Sequence, residues 1–241
     1  MGIDAARVTI EVCVDCSAGL AAAISGGADR IELCSALALG GLTPSPGLMA
    51  EAAGCGVPVL AMIRPRAGGF VWSEAEVRGM LADITAARAT GLAGVVLGAS
   101  LPDGQLDQAV LRRLVTAAAG LDLTLHRCFD LTPDMGAALE VAVSLGFRRI
   151  LTSGGEATAA AGASRIAALV AQAQGRISVM PGAGVSPANA AMLMALGVSE
   201  LHGSCSVAVQ TQGRAVDLGF GPAEQRRTDA DRVRALRHAL E

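Results

Sequence analysis

The chain of 241 residues is 52% hydrophobic and 17% charged, with 30 glycines, four Phe, one Trp and no Tyr, a composition that excludes an intrinsically disordered chain. All 19 basic residues are arginine and the net charge is −3. This excludes a lysine Schiff base, the phosphate-binding lysine of a Walker loop and a basic, aromatic-studded surface for nucleic acid.

Short β-type runs alternate with Ala-rich helical stretches along the whole chain. The predicted strands are Val8 to Val14, Arg30 to Cys34, Pro58 to Ile63, Gly94 to Gly98, Asp122 to Arg127, Arg149 to Thr152, Ile177 to Met180 and Glu200 to Gly203. Between them lie helices predicted from Ser17 to Ile24, near Ser45 to Ala53, from the N-cap pair Ser73 and Glu76 to Ala89, from about Asp107, from Pro133 to Leu145, from Ser164 to Ala173, and from Ser186 and Pro187 onward. Glycines recur where helices should stop, at Gly26 and Gly27, Gly91, Gly120, Gly146 and Gly197. A polar tail and a last helix from about Asp229 follow. Eight βα units without a linker predict a TIM (β/α)8 barrel as a single domain over residues 1–241, with a short C-terminal extension from about residue 204. A doubly wound sheet is the competing layout.

The longest uncharged run, residues 177–199, is broken by Pro181, Pro187 and three glycines, so no membrane-spanning helix is expected. The first residues lack a cationic stretch followed by an apolar block, which predicts a cytoplasmic chain whose six cysteines are reduced thiols.

Functional groups of such barrels gather at strand C-termini. Alternation puts Glu11 and Cys13 on one face of the first strand and Arg30, Glu32 and Cys34 on one face of the second. Later strands end in Arg64 and Arg66, in His126, Arg127 and Asp130, in Thr152 and Ser153, and in His202. A lumen lined by such groups is costly unless the charges are paired, so a satisfied ionic network and a ligand site both fit. Cys13 and Cys34 fall at comparable inward positions on neighbouring strands, where two thiolates suit one soft cation such as Cu(I). The turns 152–155 and 181–184 are glycine-bearing, and the second opens onto a helix N-terminus. Ser153, Gly154, Gly182 and Gly184, with Arg66 and Arg127, are therefore candidates to bind an anion. Glu32, Arg64, His126 and Asp130 are the candidate catalytic set for an enzyme acting on a small anionic or phosphorylated metabolite.

Several strings resemble the CutC family: Glu11-Val-Cys-Val-Asp15, Gly27-Ala-Asp-Arg-Ile-Glu-Leu-Cys34, Gly40-Gly-Leu-Thr-Pro-Ser45, Ile63-Arg-Pro-Arg66, His126-Arg127 with Phe129-Asp130, Leu151-Thr-Ser-Gly154, Pro181-Gly-Ala-Gly184 and Leu201-His-Gly-Ser204. They run in order from about residue 8 to the tail at Arg227-Thr228-Asp229. The resemblance implies a cytoplasmic TIM-like barrel, a homodimer or higher homo-oligomer, with a role in copper homeostasis and Cu(I) binding through Cys13 and Cys34. It departs at Cys16 and Cys128, where the family pattern has Ser and Ala. The expected partner is thus a copper ion or a small anionic metabolite, with no organic cofactor, nucleic acid or membrane.

Overall fold

The computed structural model describes residues 7–241. Eight parallel strands alternate with helices: β1 (Thr9–Val14), α1 (Ser17–Ser25), β2 (Arg30–Leu33), α2 (Pro46–Ala52), β3 (Val59–Met62), α3 (Glu74–Ala89), β4 (Gly94–Leu97), α4 (Gln108–Ala117), β5 (Asp122–Leu125), α5 (Met135–Leu145), β6 (Arg149–Thr152), α6 (Ala163–Ala173), β7 (Ser178–Pro181), α7 (Pro187–Met194) and β8 (Glu200–Gly203). The hydrogen-bonded order is β7-β6-β5-β4-β3-β2-β1-β8. Its two end strands, β7 and β8, lie side by side. The result is a nearly closed (β/α)8 barrel, as the repeats predicted.

Local chemistry sets the boundaries. Ser73 and Glu76 form the reciprocal capping box at the start of α3. Gly146, an expected helix stop, sits at φ 84° and its N–H closes onto the carbonyls of Ala142 and Val143. Within the strands the pleat sorts side chains. Ile10, Val12, Val14, Ile31 and Leu33 face the helices and join the large buried core there, whereas Glu11, Cys13, Arg30 and Glu32 alternate with them and point into the lumen. A second, small apolar cluster of Cys34, Leu60, Met62 and Val96 fills one side of the lumen.

The tail departs from the expectation of a polar extension ending in a helix. Residues 206–228 form an antiparallel pair, β9 (Ser206–Gln210) and β10 (Glu224–Thr228), with a four-residue helix α8 (Arg214–Asp217) in their connection. The alternation in Ser206-Val-Ala-Val-Gln210 is the strand signal, obscured by the absence of a tight turn. The last helix, α9 (Ala230–His238), packs between α7 and α1 through the fully buried Val233 and Leu236, and so completes the helical ring. No described helix is long and apolar enough to cross a membrane.

Candidate metal centre and the cavity above it

Register decides which side chains meet. The β1–β2 pairing places Cys13 opposite Glu32, and the β1–β8 pairing places Glu11 opposite His202. Three adjacent strands thereby deliver a thiol, a carboxylate and an imidazole to one level of the lumen. Donor atoms of Cys13, Glu32 and His202 all lie within 4.8 Å of one another, and all three residues are buried.

His202 is aimed by its neighbour. Its Nδ1 lies 2.8 Å from Glu11 Oε1, so the carboxylate accepts the Nδ1 proton and leaves Nε2 facing Glu32, whose Oε2 is 3.8 Å away. A carboxylate behind a histidine in this way fixes ring and tautomer for a metal at the other nitrogen. Burial works against the charge on Glu11, yet Arg30 and then His202 overcome it and hold the carboxyl at about 2. His202 moves the other way: burial opposes protonation, but Glu32, Cys13 and Glu11 together raise it well above the ordinary imidazole range. Burial drives Glu32 up, with His202 offsetting only part. Glu32 Oε1 is buried and has no hydrogen-bond partner among the described residues.

Cys34 stands one step above this level rather than beside Cys13. It is buried and lies outside the three-donor set, and its thiol donates to Glu32 Oε2 at 3.6 Å. Burial and the Glu32 carboxylate push the Cys34 thiol well up. All six cysteines are unpaired. Of the two that depart from the family pattern, Cys16 caps α1 by accepting the Gly19 N–H at 3.4 Å, and Cys128 is fully buried in the helix-side core.

Above the donor level lies a cavity of about 970 Å³, bordered by Cys13, Glu32, Met62, Arg64, Phe70 and His126 among others. The Arg64 guanidinium is buried in its wall. Nη1 donates to the carbonyls of Leu39 and Gly41 and Nη2 to that of Gly68. His126 is also buried, and its Nδ1 accepts the Cys128 N–H at 3.1 Å, so the neutral ring carries its proton on Nε2. Burial, reinforced by the Arg64 charge, lowers His126 to about 3. A Cβ at residue 98 would stand 2.4 Å from His126 Cε1, which explains the glycine there.

The other predicted residues take different parts. Asp130 is saturated: it accepts from Arg127 Nε at 2.7 Å, from the Ser153 N–H and hydroxyl, from the Gly155 N–H and from the Thr152 hydroxyl. The turn read as an anion cradle therefore holds the chain's own carboxylate. Ser153 is fully engaged within it, and the Gly154 N–H donates to Thr152 Oγ1 at 2.9 Å. The Gly182 N–H is taken by the Thr152 carbonyl. Gly184 borders a second recess of about 520 Å³ with Arg127, Ser204, Ser206, Arg226 and Arg232. Arg66 lies apart from both spaces; it pairs with Glu76, donates to the carbonyls of Ala67, Gly69 and Val71, and covers the Trp72 ring at 4.8 Å.

Sequence reasoning placed His202 at the rim but left it out of the metal set, because the β1–β8 register that makes it the neighbour of Glu11 is a tertiary fact. It also left Arg149, Glu200 and Asp122 unremarked. These occupy strand starts, at the opposite end of the lumen, where Glu200 pairs with both Arg30 and Arg149, and Arg149 with Asp122.

The CutC family model matches residues 8–207. A CutC family protein of Sinorhizobium medicae is 56% identical over 237 residues, covering 98% of this chain and 97% of the relative. One from Caulobacter vibrioides is 54% identical over 243 residues, covering 98% and 99%. Among solved structures, a Streptococcus agalactiae protein described as a candidate copper homeostasis protein CutC superposes with a TM-score of 0.79 at 34% identity, over 82% of this chain and 99% of that one. A thiamine phosphate pyrophosphorylase from Pyrococcus furiosus shares the fold alone, with a TM-score of 0.60 at 14% identity over 98% and 96% of the two chains.

Proposed function

The chain belongs to the CutC family, and from that membership we propose that it serves copper homeostasis by holding Cu(I) at the Cys13, Glu32 and His202 centre. The observation that carries this reading is the convergence of the three donors within 4.8 Å, with His202 aimed by Glu11. The donor chemistry fits the ion: a thiolate and an imidazole suit Cu(I), and hard cations prefer oxygen. Cys34, one step up and in contact with Glu32, is a second soft donor within reach of the same region. In this reading the expected Cys13 and Cys34 pair gives way to a centre of Cys13, Glu32 and His202, in which Cys34 assists.

Competition for Cu(I) against a chromophoric chelator under reducing conditions tests this. Wild-type protein should bind one ion per chain. Cys13→Ser and His202→Ala should each weaken binding by well over tenfold, and Glu11→Gln by roughly 10- to 100-fold through misorientation of the imidazole. Cys55→Ser should leave it unchanged, since Cys55 lies outside the donor set. Unaltered Cu(I) affinity in the Cys13→Ser, His202→Ala double variant would refute the reading.

The alternative of an enzyme using Glu32 and His126 as proton carriers, with Asp130 assisting and Arg64, Arg66 and Arg127 gripping an anion, finds less support as a catalytic machine, although Arg64 itself keeps a free donor. His126 stays neutral down to about 3, Asp130 has no free oxygen, and Arg66 is occupied elsewhere.

A further inference from the structure

A bare ion needs little room, yet the space above the donor level measures about 970 Å³, at the upper end of what small-molecule pockets enclose. Its lining carries charge of both signs, with Asp15, Glu32 and Glu224 as well as Arg127, Arg226 and Arg227, but one part of it is distinct. Leu37, Ala38, Met62 and Phe70 offer an apolar wall, and Arg64 and His126 stand beside it with hydrogen-bonding capacity left over.

That capacity can be counted. A guanidinium has five N–H donors. Arg64 spends both protons of Nη1 on the Leu39 and Gly41 carbonyls and one proton of Nη2 on Gly68. Its Nε–H, buried, has no partner among the described residues, and Nη2, with its one bond to Gly68, keeps a second proton unspent. No described carboxylate lies within ion-pairing distance of it, unlike Arg30 and Arg149 in the same barrel. His126 repeats the pattern: with Nδ1 accepting from Cys128, the Nε2–H is a donor, and it is buried without a partner. A buried cation and two buried donors left unmet are costly unless something absent from the chain completes them. Phe70 links the pair, its ring 4.6 Å from that of His126 and 5.1 Å from the Arg64 guanidinium carbon.

We propose that this cavity binds a small organic anion, its acid group received by the free N–H donors of Arg64 and His126 and its carbon skeleton lying against Met62 and Phe70. In this assignment His126 is a neutral donor that positions the ligand and transfers no proton. The inference does not depend on the copper reading, because neither residue belongs to the Cys13, Glu32 and His202 set. Carboxylate and phosphate-ester ligands share the chemistry recognised here, and the test below separates them.

The chain has three histidines, so the full-length, metal-free protein labelled with ¹⁵N-histidine reports on His126 directly by NMR. Malonate, acetate and inorganic phosphate are the probes. The proposal expects the His126 Nε2 resonance to move and saturate at millimolar probe while exposed His238 stays in place. Saturation by malonate or acetate assigns a carboxylate ligand, and saturation by phosphate assigns a phosphate ester. Arg64→Gln should weaken the effect at least tenfold. A His126 resonance unmoved by all three probes overturns the proposal, as does equal binding in Arg64→Gln. Should that variant fail to fold, the wild-type titration decides alone. Because no copper is present, failure here leaves the copper reading intact, and loss of Cu(I) binding leaves this result intact.

Discussion

The two ends of the barrel lumen both bury arginines and carboxylates, and they differ in how completely the arginines are paired. At the strand starts, Arg30 lies between Glu11 and Glu200, and Arg149 between Glu200, Asp122 and the Thr124 hydroxyl. Each charge there has an opposite neighbour. At the strand ends, Glu32 Oε1, Arg64 Nε and His126 Nε2 are buried and unmet, and Arg64 has no carboxylate partner; at the strand starts Asp122 Oδ1 is also without a hydrogen bond, but its other oxygen is paired with Arg149. Glu11 joins the ends, with one oxygen on Arg30 and the other on His202. Buried charges in a barrel are thus no sign of a site by themselves; the informative ones are those the chain leaves incomplete.

The largest expected effect lies in the paired end. Glu200→Ala removes one of two carboxylate partners from both Arg30 and Arg149, which keep Glu11 and Asp122 respectively, and should lower unfolding free energy in urea by about 2–3 kcal/mol. A loss below about 1 kcal/mol would erase the distinction between the ends.

Acid sensitivity comes next. His126 is neutral in the folded chain down to about 3, while the unfolded chain protonates near 6.5. Its contribution is therefore complete above pH 6.5 and is lost as pH falls from there toward 3. Glu11, held at about 2 against 4.5, adds a loss of the same sign between 4.5 and 2. Glu32, raised by burial, works in the opposite sense as pH falls toward 4.5, so the check is a difference: between pH 6.5 and 4 the urea midpoint of the wild type should fall relative to that of His126→Gln. The slopes should differ by at most about 1.4 kcal/mol per pH unit, and parallel slopes would mean that His126 is not buried neutral.

Glu32→Gln sharpens the contrast from the unmet end. It keeps the shape and removes an unsatisfied carboxylate, so stability should change by less than about 1 kcal/mol or rise, while Cu(I) affinity falls roughly tenfold. Smallest of all is Arg66→Ala. Its pair with Glu76 is half exposed, and both stability and Cu(I) binding should move by less than about 1 kcal/mol.

The barrel was legible because its signals are local. Strand alternation, cap residues such as Ser73 with Glu76, and stop glycines such as Gly146 each act within a few residues. The inward face of β1 and β2 followed from the same alternation. What stayed hidden depends on register and reach. Cys13 meets Glu32 rather than Cys34 because β1 and β2 are staggered by two residues relative to the simple alignment of their cysteines. His202 becomes Glu11's neighbour only when the last strand closes on the first. Arg66 and Arg64 are two residues apart, yet Arg64 turns into the wall and Arg66 onto Trp72.

The turn at residues 152–155 has a consequence beyond its own geometry. Its backbone and hydroxyl donors already clasp the Asp130 carboxylate, which acts as a permanent tenant tethered at high effective concentration. A phosphate arriving from solution would have to evict a competitor that never diffuses away. Truncating Asp130 to alanine would vacate the berth, making this loop a ready place to engineer oxyanion capture into the scaffold.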